Sequence, residues 1–374
     1  MNPGNPLQQL SAHGQSVWLD NLSRSLIDSG ELKRLIQEDG VSGITSNPAI
    51  FAAAISEGGA YDDQIRALAG GDGDTLALYE ALAIDDIQAA ADLLHPVFEH
   101  SSGTDGFVSL EVNPHLARDT EGTLTEALRL WQAVHRDNIL IKIPGTAEGM
   151  PAIEEALYQG VNINITLLFS HKAYGEVMEA HLRALERRLE HDLPLGKLAS
   201  VASFFLSRID TRVDQQLDAV AGQHAEEARA LRGMTAVASA RAAYRMWQET
   251  YTGPRWARLR EAGALVQKPL WASTSTKDPA YPDTKYVEPL VGPQTVNTMP
   301  EVTMNAFRDH GRVIPGSVTQ GLDEARHVPA RLAALDIDLD DVTTNLVEEG
   351  IAKFEQPFDA LLGNLEEKAA ALSG

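Results

Sequence analysis

The 374-residue sequence contains no cysteine. This absence excludes a disulfide framework, a thiol nucleophile and any metal site that depends on thiolate ligands. The amino-terminal residues MNPGNPLQQL also lack the basic and apolar regions of a secretory signal. We therefore expect a cytoplasmic location.

Positive charge is scarce, since 31 lysines and arginines face 53 aspartates and glutamates and give a net charge of −22. The negative electrostatic potential of such a chain argues against nucleic acid or an anionic membrane as a partner. A local cluster of arginine and lysine can still bind a small anion, because distant charges are screened by salt. No apolar run approaches the roughly 20 residues of a membrane span.

Several catalytic motifs are absent as well. The histidines are scattered without H-E-x-x-H or comparable ligand spacing, so we expect neither a catalytic metal nor a cofactor. There is no P-loop, no G-x-S-x-G elbow and no G-x-G-x-x-G after the first predicted strand.

Apolar runs typical of strands alternate with helical patterns along the chain. The predicted strands are 16–20, 42–47, 107–112, 138–146, 161–168, 197–205, 264–273 and 295–298, and the predicted helical regions include 21–38, 56–100, 123–135, 149–159, 171–190, 208–249 and 341–371. This alternation indicates parallel βαβ units, and eight such strands favour a closed (β/α)8 TIM barrel over a doubly wound sheet. We expect one domain over 1–374, with the barrel at about 16–310 and a helical extension at about 311–374 packed around it.

Lys142 lies inside the apolar run NILIKIPGT at 138–146. Burying an ammonium is costly unless it is paired or neutralised, and the neutral amine is the form that attacks a carbonyl carbon. Lys142 is therefore a candidate Schiff-base lysine. The alternative is structural, with the stem packed and the ammonium reaching water at the strand end.

Strand alternation places further polar side chains on the same interior face, near the carboxyl ends of the first five strands. A single such residue is usually a hydrogen-bonded core residue, but a group converging on the end where barrel enzymes keep their active sites indicates function. The inward set comprises Asp20, Thr45, Asn47, Glu111, Lys142, Asn162, Asn164 and Thr166. Lys197 and Lys268 lie near strand beginnings, at the opposite end.

A phosphate site is predicted beyond the sixth and seventh strands. Arg208 follows SFFLS at a helix start, while Ser273 and Lys277 follow the seventh strand. Arginine, hydroxyls and a helix start are suited to phosphate. The alternative for Arg208 is a surface ion pair with Asp210 or Asp214.

Taken in order, these residues resemble the transaldolase family of class I aldolases, in its long bacterial branch, from about Trp18 to the C-terminus. The motifs are WLD at 18–20, GITSNP at 43–48, SLEV at 109–112, ILIKIPGT at 139–146, NITLLFS at 164–170 and SFFLSRID at 203–210. The resemblance implies a barrel whose strand order is circularly permuted relative to that of other class I aldolases. It also implies transfer of a dihydroxyacetone unit from sedoheptulose 7-phosphate to glyceraldehyde 3-phosphate, giving erythrose 4-phosphate and fructose 6-phosphate.

The resemblance also implies roles for individual residues. Lys142 would form the Schiff base, Asp20 would act as acid and base during carbon–carbon cleavage, and Glu111 with Thr166 would activate the catalytic water. The substrate-binding residues would be Asn47, Asn164, Thr45 and Ser203 for the dihydroxyacetone unit, and Arg208 and Ser273 for the phosphate. The implied partners are small phosphorylated sugars, and we expect a monomer or homodimer.

The sequence departs from the family pattern at one position. Ser275 stands where transaldolases carry a second phosphate-binding arginine, and Lys277 is the expected substitute. Two alternative functions remain open. Similar small aldolases cleave fructose 6-phosphate and release dihydroxyacetone, but they carry glutamine where this chain has Glu111. A non-catalytic phosphosugar-binding barrel would have no need of a buried amine.

Overall fold

The computed structural model describes residues 4–56, 58–68 and 74–373. Within these ranges, eight parallel strands close into a barrel in chain order, with the last strand hydrogen-bonded to the first. The strands are β1 (Gln15–Leu19), β2 (Val41–Ile44), β3 (Phe107–Glu111), β4 (Ile139–Pro144), β5 (Ile163–Leu168), β6 (Ser200–Phe205), β7 (Gln267–Ala272) and β8 (Thr295–Met299). This confirms the predicted (β/α)8 barrel.

Helices connect the strands and form the outer layer, because parallel neighbours require crossover connections. They are α1 (Pro6–Ala12), α2 (Arg24–Asp28), α3 (Glu31–Arg34), α4 (Pro48–Ser56), α5 (Asp62–Leu68), α6 (Thr75–His100), α7 (Thr120–Val134), α8 (Gly149–Tyr158), α9 (His171–Glu190), α10 (Ser207–Asp218), α11 (Ala225–Leu231), α12 (Thr235–Thr250), α13 (Pro254–Glu261), α14 (Glu301–His310), α15 (Leu322–Ala333) and α16 (Leu339–Ser373). In the described part of the chain, no helix has the length and apolarity needed to cross a bilayer.

Some predicted long helices are interrupted. Region 21–38 divides into α2, α3 and a π-helical turn, and Gly30 separates the first two with a left-handed φ of +78°. Region 208–249 divides into α10, α11 and α12, and Gly233 lies before α12 with a φ of +67°. A left-handed residue ends a helix, so a continuous apolar pattern did not imply a continuous helix. The predicted helical region 56–100 lies partly outside the described residues.

The strand register brings polar side chains to one level inside the barrel. Glu111 of β3 pairs with Lys142 of β4, which in turn pairs with Asn164 of β5. Residues paired across neighbouring strands point to the same side of the sheet, so these side chains lie next to one another. All three residues are buried.

The carboxyl end of β5 departs from regular alternation. Leu167 has a positive φ of +60°, and the register with β6 shifts between Ile165 and Leu168. The side chain of Leu167 meets Gly350 of α16, where an added Cβ would lie 2.8 Å from a Leu167 methyl carbon. Gly350 therefore lets α16 approach the end of the barrel closely.

The helix α16 joins the rest of the molecule through a common core. Buried apolar residues form one cluster that runs from Leu7 of α1 to Leu365 of α16. This continuity supports the one-domain assignment, which remains a proposal. The prediction placed the carboxyl-terminal helices around the barrel, and α16 in addition crosses its carboxyl-terminal opening, where Leu346, Glu349, Lys353 and Phe354 line a cleft.

Candidate active site

A cleft of about 560 Å³ opens at the carboxyl ends of the strands. Most of the residues predicted as site residues line it: Asp20, Thr45, Asn47, Lys142, Thr166, Ser203, Arg208, Ser273 and Lys277. The two others, Glu111 and Asn164, are hydrogen-bonded to lining residues. The barrel thus brings together side chains that are widely separated in the sequence.

Lys142 lies on the floor of the cleft. Its Nζ donates hydrogen bonds to the Ser46 carbonyl oxygen at 3.0 Å and to Glu111 Oε2 at 3.1 Å. The Lys142 side chain is only 6 % exposed, so the alternative of an ammonium reaching bulk water is wrong. The Phe354 ring of α16, centred 5.3 Å from Nζ, covers the amine.

Glu111 is buried beside this amine. Desolvation raises the pKa of its carboxyl, while the Lys142 ammonium opposes the rise. In the described ranges, Glu111 Oε1 and the Thr166 hydroxyl are buried without a hydrogen-bond partner. Buried polar atoms normally have partners, so these two atoms are suited to hold water or substrate.

Asp20 is positioned by a relay of hydroxyl groups. The Thr45 hydroxyl donates to Asp20 Oδ1 at 2.6 Å, and it also lies 2.7 Å from the Thr298 hydroxyl. A hydroxyl has a single proton to donate, so Thr298 must donate to Thr45. The relay fixes the carboxylate at the cleft wall, just beyond the end of β1.

The polar wall formed by β5 and β6 is ordered in a similar way. Ser203 donates from Oγ to Asn164 Oδ1 at 2.7 Å, and Asn164 Nδ2 donates to Ser109 Oγ at 2.9 Å. Asn47 was predicted inside a strand, but β2 ends at Ile44. It lies instead before α4, where its Oδ1 accepts the Ile50 N–H at 3.1 Å.

Arg208 and Ser273 meet at one end of the cleft. The Ser207 N–H donates to the Ser273 carbonyl at 3.0 Å and their hydroxyls lie 2.8 Å apart, which joins the start of α10 to the end of β7. Ser273 has a left-handed φ of +55°. Burial lowers the pKa of Arg208, and its Nη1 has no partner among the described residues.

The predicted alternative for Arg208, an ion pair with Asp210 or Asp214, is wrong. Asp210 accepts the Ala236 N–H at 2.7 Å, and Asp214 accepts the Gly233 N–H at 2.8 Å. Both carboxylates also accept tyrosine hydroxyls and lie buried between α10 and α12. They therefore hold the helices together, and Arg208 is left facing the cleft.

Lys277 and Ser275 also line the cleft, and Lys277 Nζ donates to Ser275 Oγ. Burial lowers the pKa of Lys277, and the nearby Arg208 charge lowers it further. A cation is thus present close to the position where the family arginine is missing. Its role as a substitute stays a prediction.

Asn162 and Lys268 lie at the other end of the barrel, where the strands begin. Asn162 precedes β5 and donates to the carbonyls of Asp137 and Ile139, so its inclusion with the inward set at the mouth was wrong. Lys268 is the second residue of β7, which makes it another lysine inside a strand. Its Nζ donates to the Thr104 carbonyl oxygen at 2.7 Å.

Sequence reasoning missed several lining residues: Thr298, Arg212, Glu349, Lys353 and Phe354. Arg212 lies one helical turn after Arg208, a spacing that places both on one face of α10. Glu349 and Lys353 likewise share a face of α16. These spacings were visible in the sequence, but the position of α16 over the opening was not.

Comparison with known proteins finds the family whose motifs the sequence resembles. Residues 17–365 match the family model described as Transaldolase/Fructose-6-phosphate aldolase. A relative from Thermobifida fusca, named Transaldolase, is 48 % identical over 98 % of this chain and 99 % of its own. Relatives with the same name are 45 % identical in Frankia alni, over 97 % of both chains, and 47 % identical in Thiobacillus denitrificans, over 96 % of this chain and 99 % of that one.

Proposed function

This chain belongs to the transaldolase/fructose-6-phosphate aldolase family and has the activity of a transaldolase, a transferase, and we propose that it works through a Schiff base on Lys142. The proposed reaction transfers a dihydroxyacetone unit from sedoheptulose 7-phosphate to glyceraldehyde 3-phosphate. The products are erythrose 4-phosphate and fructose 6-phosphate, which places the reaction in the pentose phosphate pathway.

The observation that carries this proposal is the buried Lys142 amine, bonded to Glu111 at 3.1 Å and open to a cleft of sugar-phosphate size. A buried amine beside a carboxylate can lose its proton to that carboxylate without reaching bulk water. The neutral Nζ then attacks the ketose carbonyl carbon. Loss of water from the adduct gives an iminium ion, with Glu111 and Thr166 proposed to hold and activate that water.

Carbon–carbon cleavage follows from the iminium. Asp20 takes the proton of the C4 hydroxyl, the C3–C4 bond breaks, and its electron pair moves into the iminium to form an enamine of dihydroxyacetone. The relay from Thr298 through Thr45 supports this role, because it holds the Asp20 carboxyl group in place at the cleft wall. The iminium nitrogen supplies the electron sink for the carbanion.

The remaining polar residues are proposed to position the sugar. Asn47, Asn164, Thr45 and Ser203 would contact the dihydroxyacetone hydroxyls, and Arg208 with Ser273 would bind the phosphate. The acceptor aldehyde then adds to the enamine by the reverse steps. Water finally releases the ketose product and regenerates Lys142.

The two alternative functions predict different products. Simple cleavage would release dihydroxyacetone, which stays unfavoured because this chain has the Glu111 carboxylate and its relatives are named transaldolases. A non-catalytic barrel would bind phosphosugars without forming a covalent adduct. We further propose that the enzyme acts in the cytoplasm, as a monomer or homodimer.

Borohydride trapping tests the proposal directly. Incubation with fructose 6-phosphate followed by reduction should leave a dihydroxyacetone adduct on the Lys142 peptide, and added erythrose 4-phosphate should divert it to sedoheptulose 7-phosphate. Asp20→Asn should still form the ketose imine but accumulate no dihydroxyacetone adduct, because it cannot complete cleavage. A folded protein without any adduct would contradict the Schiff-base mechanism and favour the binding alternative.

A further inference from the structure

One end of the cleft concentrates positive charge. Besides Lys142, the cationic residues that line the cleft are Arg208 and Arg212 of α10, Lys277 after β7 and Lys353 of α16. The lining carboxylates are Asp20 and Glu349. Cations gathered in this way repel one another unless an anion binds among them.

Lys353 belongs to this group although it lies far from the other members in the sequence. Partial desolvation lowers the pKa of its amine although the side chain is largely exposed, and the charges of Arg208 and Arg212 lower the pKa further. The amine is therefore close enough to both guanidinium groups to feel their repulsion. A dianionic phosphate placed among the three cations would turn this repulsion into attraction.

Glu349 is the carboxylate that faces these cations from α16. It contacts the Arg212 guanidinium directly and lies 3.9 Å from Lys353 Nζ. The side chains of Arg212 and Glu349 are each about one-third exposed, at 34 % and 33 %. Ion pairs with this exposure are weak, so an incoming dianion can displace the glutamate.

The position of α16 over the cleft is fixed by packing. Gly350 lies directly against Leu167 at the end of β5, and Phe354 covers Lys142. One turn further on, Phe358 packs edge-on against Tyr79 of α6, with the rings 5.5 Å apart. Lys353 and Glu349 are thus presented by a helix that is anchored on both sides of the opening.

We propose that Lys353, together with Arg212, completes the phosphate site that begins with Arg208, and that Glu349 neutralises these two cations until a phosphorylated sugar replaces it. This inference rests on the proposed function. It assigns to the carboxyl-terminal helix the charge that Ser275 does not supply, and it makes α16 part of substrate recognition.

The test compares binding of phosphate with binding of the sugar. In Lys353→Met, the inhibition constant of inorganic phosphate and the KM for fructose 6-phosphate should rise by about two- to fivefold, the range for losing one exposed charge pair, because the Lys353 side chain is 56 % exposed. The kcat/KM for unphosphorylated fructose should stay unchanged, since it places no charge there. Lys353→Arg should restore most of the phosphate affinity. Lys33→Met, at an exposed lysine of α3, controls for net charge.

Glu349→Gln should change the phosphate affinity in the opposite direction to Lys353→Met. Removing the competing carboxylate should lower the inhibition constant of inorganic phosphate by about two- to fivefold, the range for releasing an exposed ion pair. An unchanged phosphate constant in Lys353→Met, or an equal loss with fructose and fructose 6-phosphate, would overturn the proposal. An effect confined to Lys277→Met would assign the charge to Lys277 instead.

Failure of this inference can be separated from failure of the proposed function. Calorimetric titration of the wild-type protein with inorganic phosphate needs no turnover, whereas trapping on Lys142 needs no phosphate contact when fructose is the donor. Phosphate binding that depends on Lys353 without any Lys142 adduct would retain the proposed phosphate site and reject the Schiff base. A Lys142 adduct together with phosphate binding that does not depend on Lys353 would retain the Schiff base and reject the role of Lys353 in phosphate binding.

Discussion

The two ends of the barrel each hold a lysine inside a strand, and the two lysines are used differently. Lys142 near the carboxyl end of β4 is bonded to the Glu111 carboxylate and faces a cleft of about 560 Å³ lined by acidic and basic side chains. Lys268 near the amino end of β7 donates to a backbone carbonyl and borders a mostly apolar cavity of about 190 Å³.

Lys142 is buried and Lys268 is half-buried, so both amines are at least partly removed from water. Desolvation lowers the pKa of Lys268, as expected for an amine removed from water. What Lys268 lacks is the array around Lys142, where Asp20, Thr166 and Arg208 converge from other strands and helices. A reactive amine needs groups that handle protons and hold substrate, and the carboxyl-terminal opening brings such groups together around Lys142.

The largest expected effect contrasts the two lysines directly. Lys142→Met should reduce transaldolase kcat by more than about 10⁴-fold, since it removes the nucleophile, while circular dichroism shows a folded protein. Lys268→Met is the matched control, and its kcat should remain near the wild-type value. Wild-type turnover in Lys142→Met, or an equal loss in Lys268→Met, would break the distinction between the two ends.

Glu111→Gln should have the next largest effect. Loss of this proton acceptor should slow transfer by about 10²-fold or more and lower the ratio of transfer to cleavage. The ratio is measured from sedoheptulose 7-phosphate and free dihydroxyacetone formed in the same assay. An unchanged ratio would remove Glu111 from the proposed activation of water.

The raised pKa of Glu111 predicts how the reaction rate depends on pH. Burial raises the pKa of Glu111 above its ordinary 4.5, and the carboxylate is the form that accepts a proton. The wild-type rate should therefore fall as the pH decreases through this raised pKa, at a pH above 4.5, and the Glu111→Gln profile should lack this acidic limb. A limb that persists in the variant would belong to another group.

The smallest effect is expected for a substitution at the end of the barrel that the amino ends of the strands form. Asp105 accepts hydrogen bonds from the Trp18 indole at 2.9 Å and from the Ser16 hydroxyl. Asp105→Ala should lower the free energy of unfolding by about 1–3 kcal/mol, because it leaves the buried indole N–H unpartnered. Denaturant titration measures this loss, and kcat/KM should stay unchanged. A large fall in activity of the folded variant would show that this end also serves catalysis.

The sequence by itself determined the barrel and the inner face of its strands. Apolar alternation and eight βαβ units are local patterns, and side-chain direction along a strand repeats every two residues. These patterns sufficed to place Lys142, Glu111 and Asn164 inside the barrel, with Lys142 and Glu111 in the carboxyl-terminal halves of their strands. They also gave Arg208 at the start of a helix.

The tertiary structure decided the rest. Strand register set Glu111 beside Lys142, and the turn after β2 placed Asn47 outside the strand predicted for it. The packing of α16 brought Lys353 to the arginines of α10. Register and helix packing depend on contacts between residues far apart in the chain, which local periodicity does not encode. The sequence therefore identified the main chemical groups of the site, but it did not identify the distances between them or their additional partners.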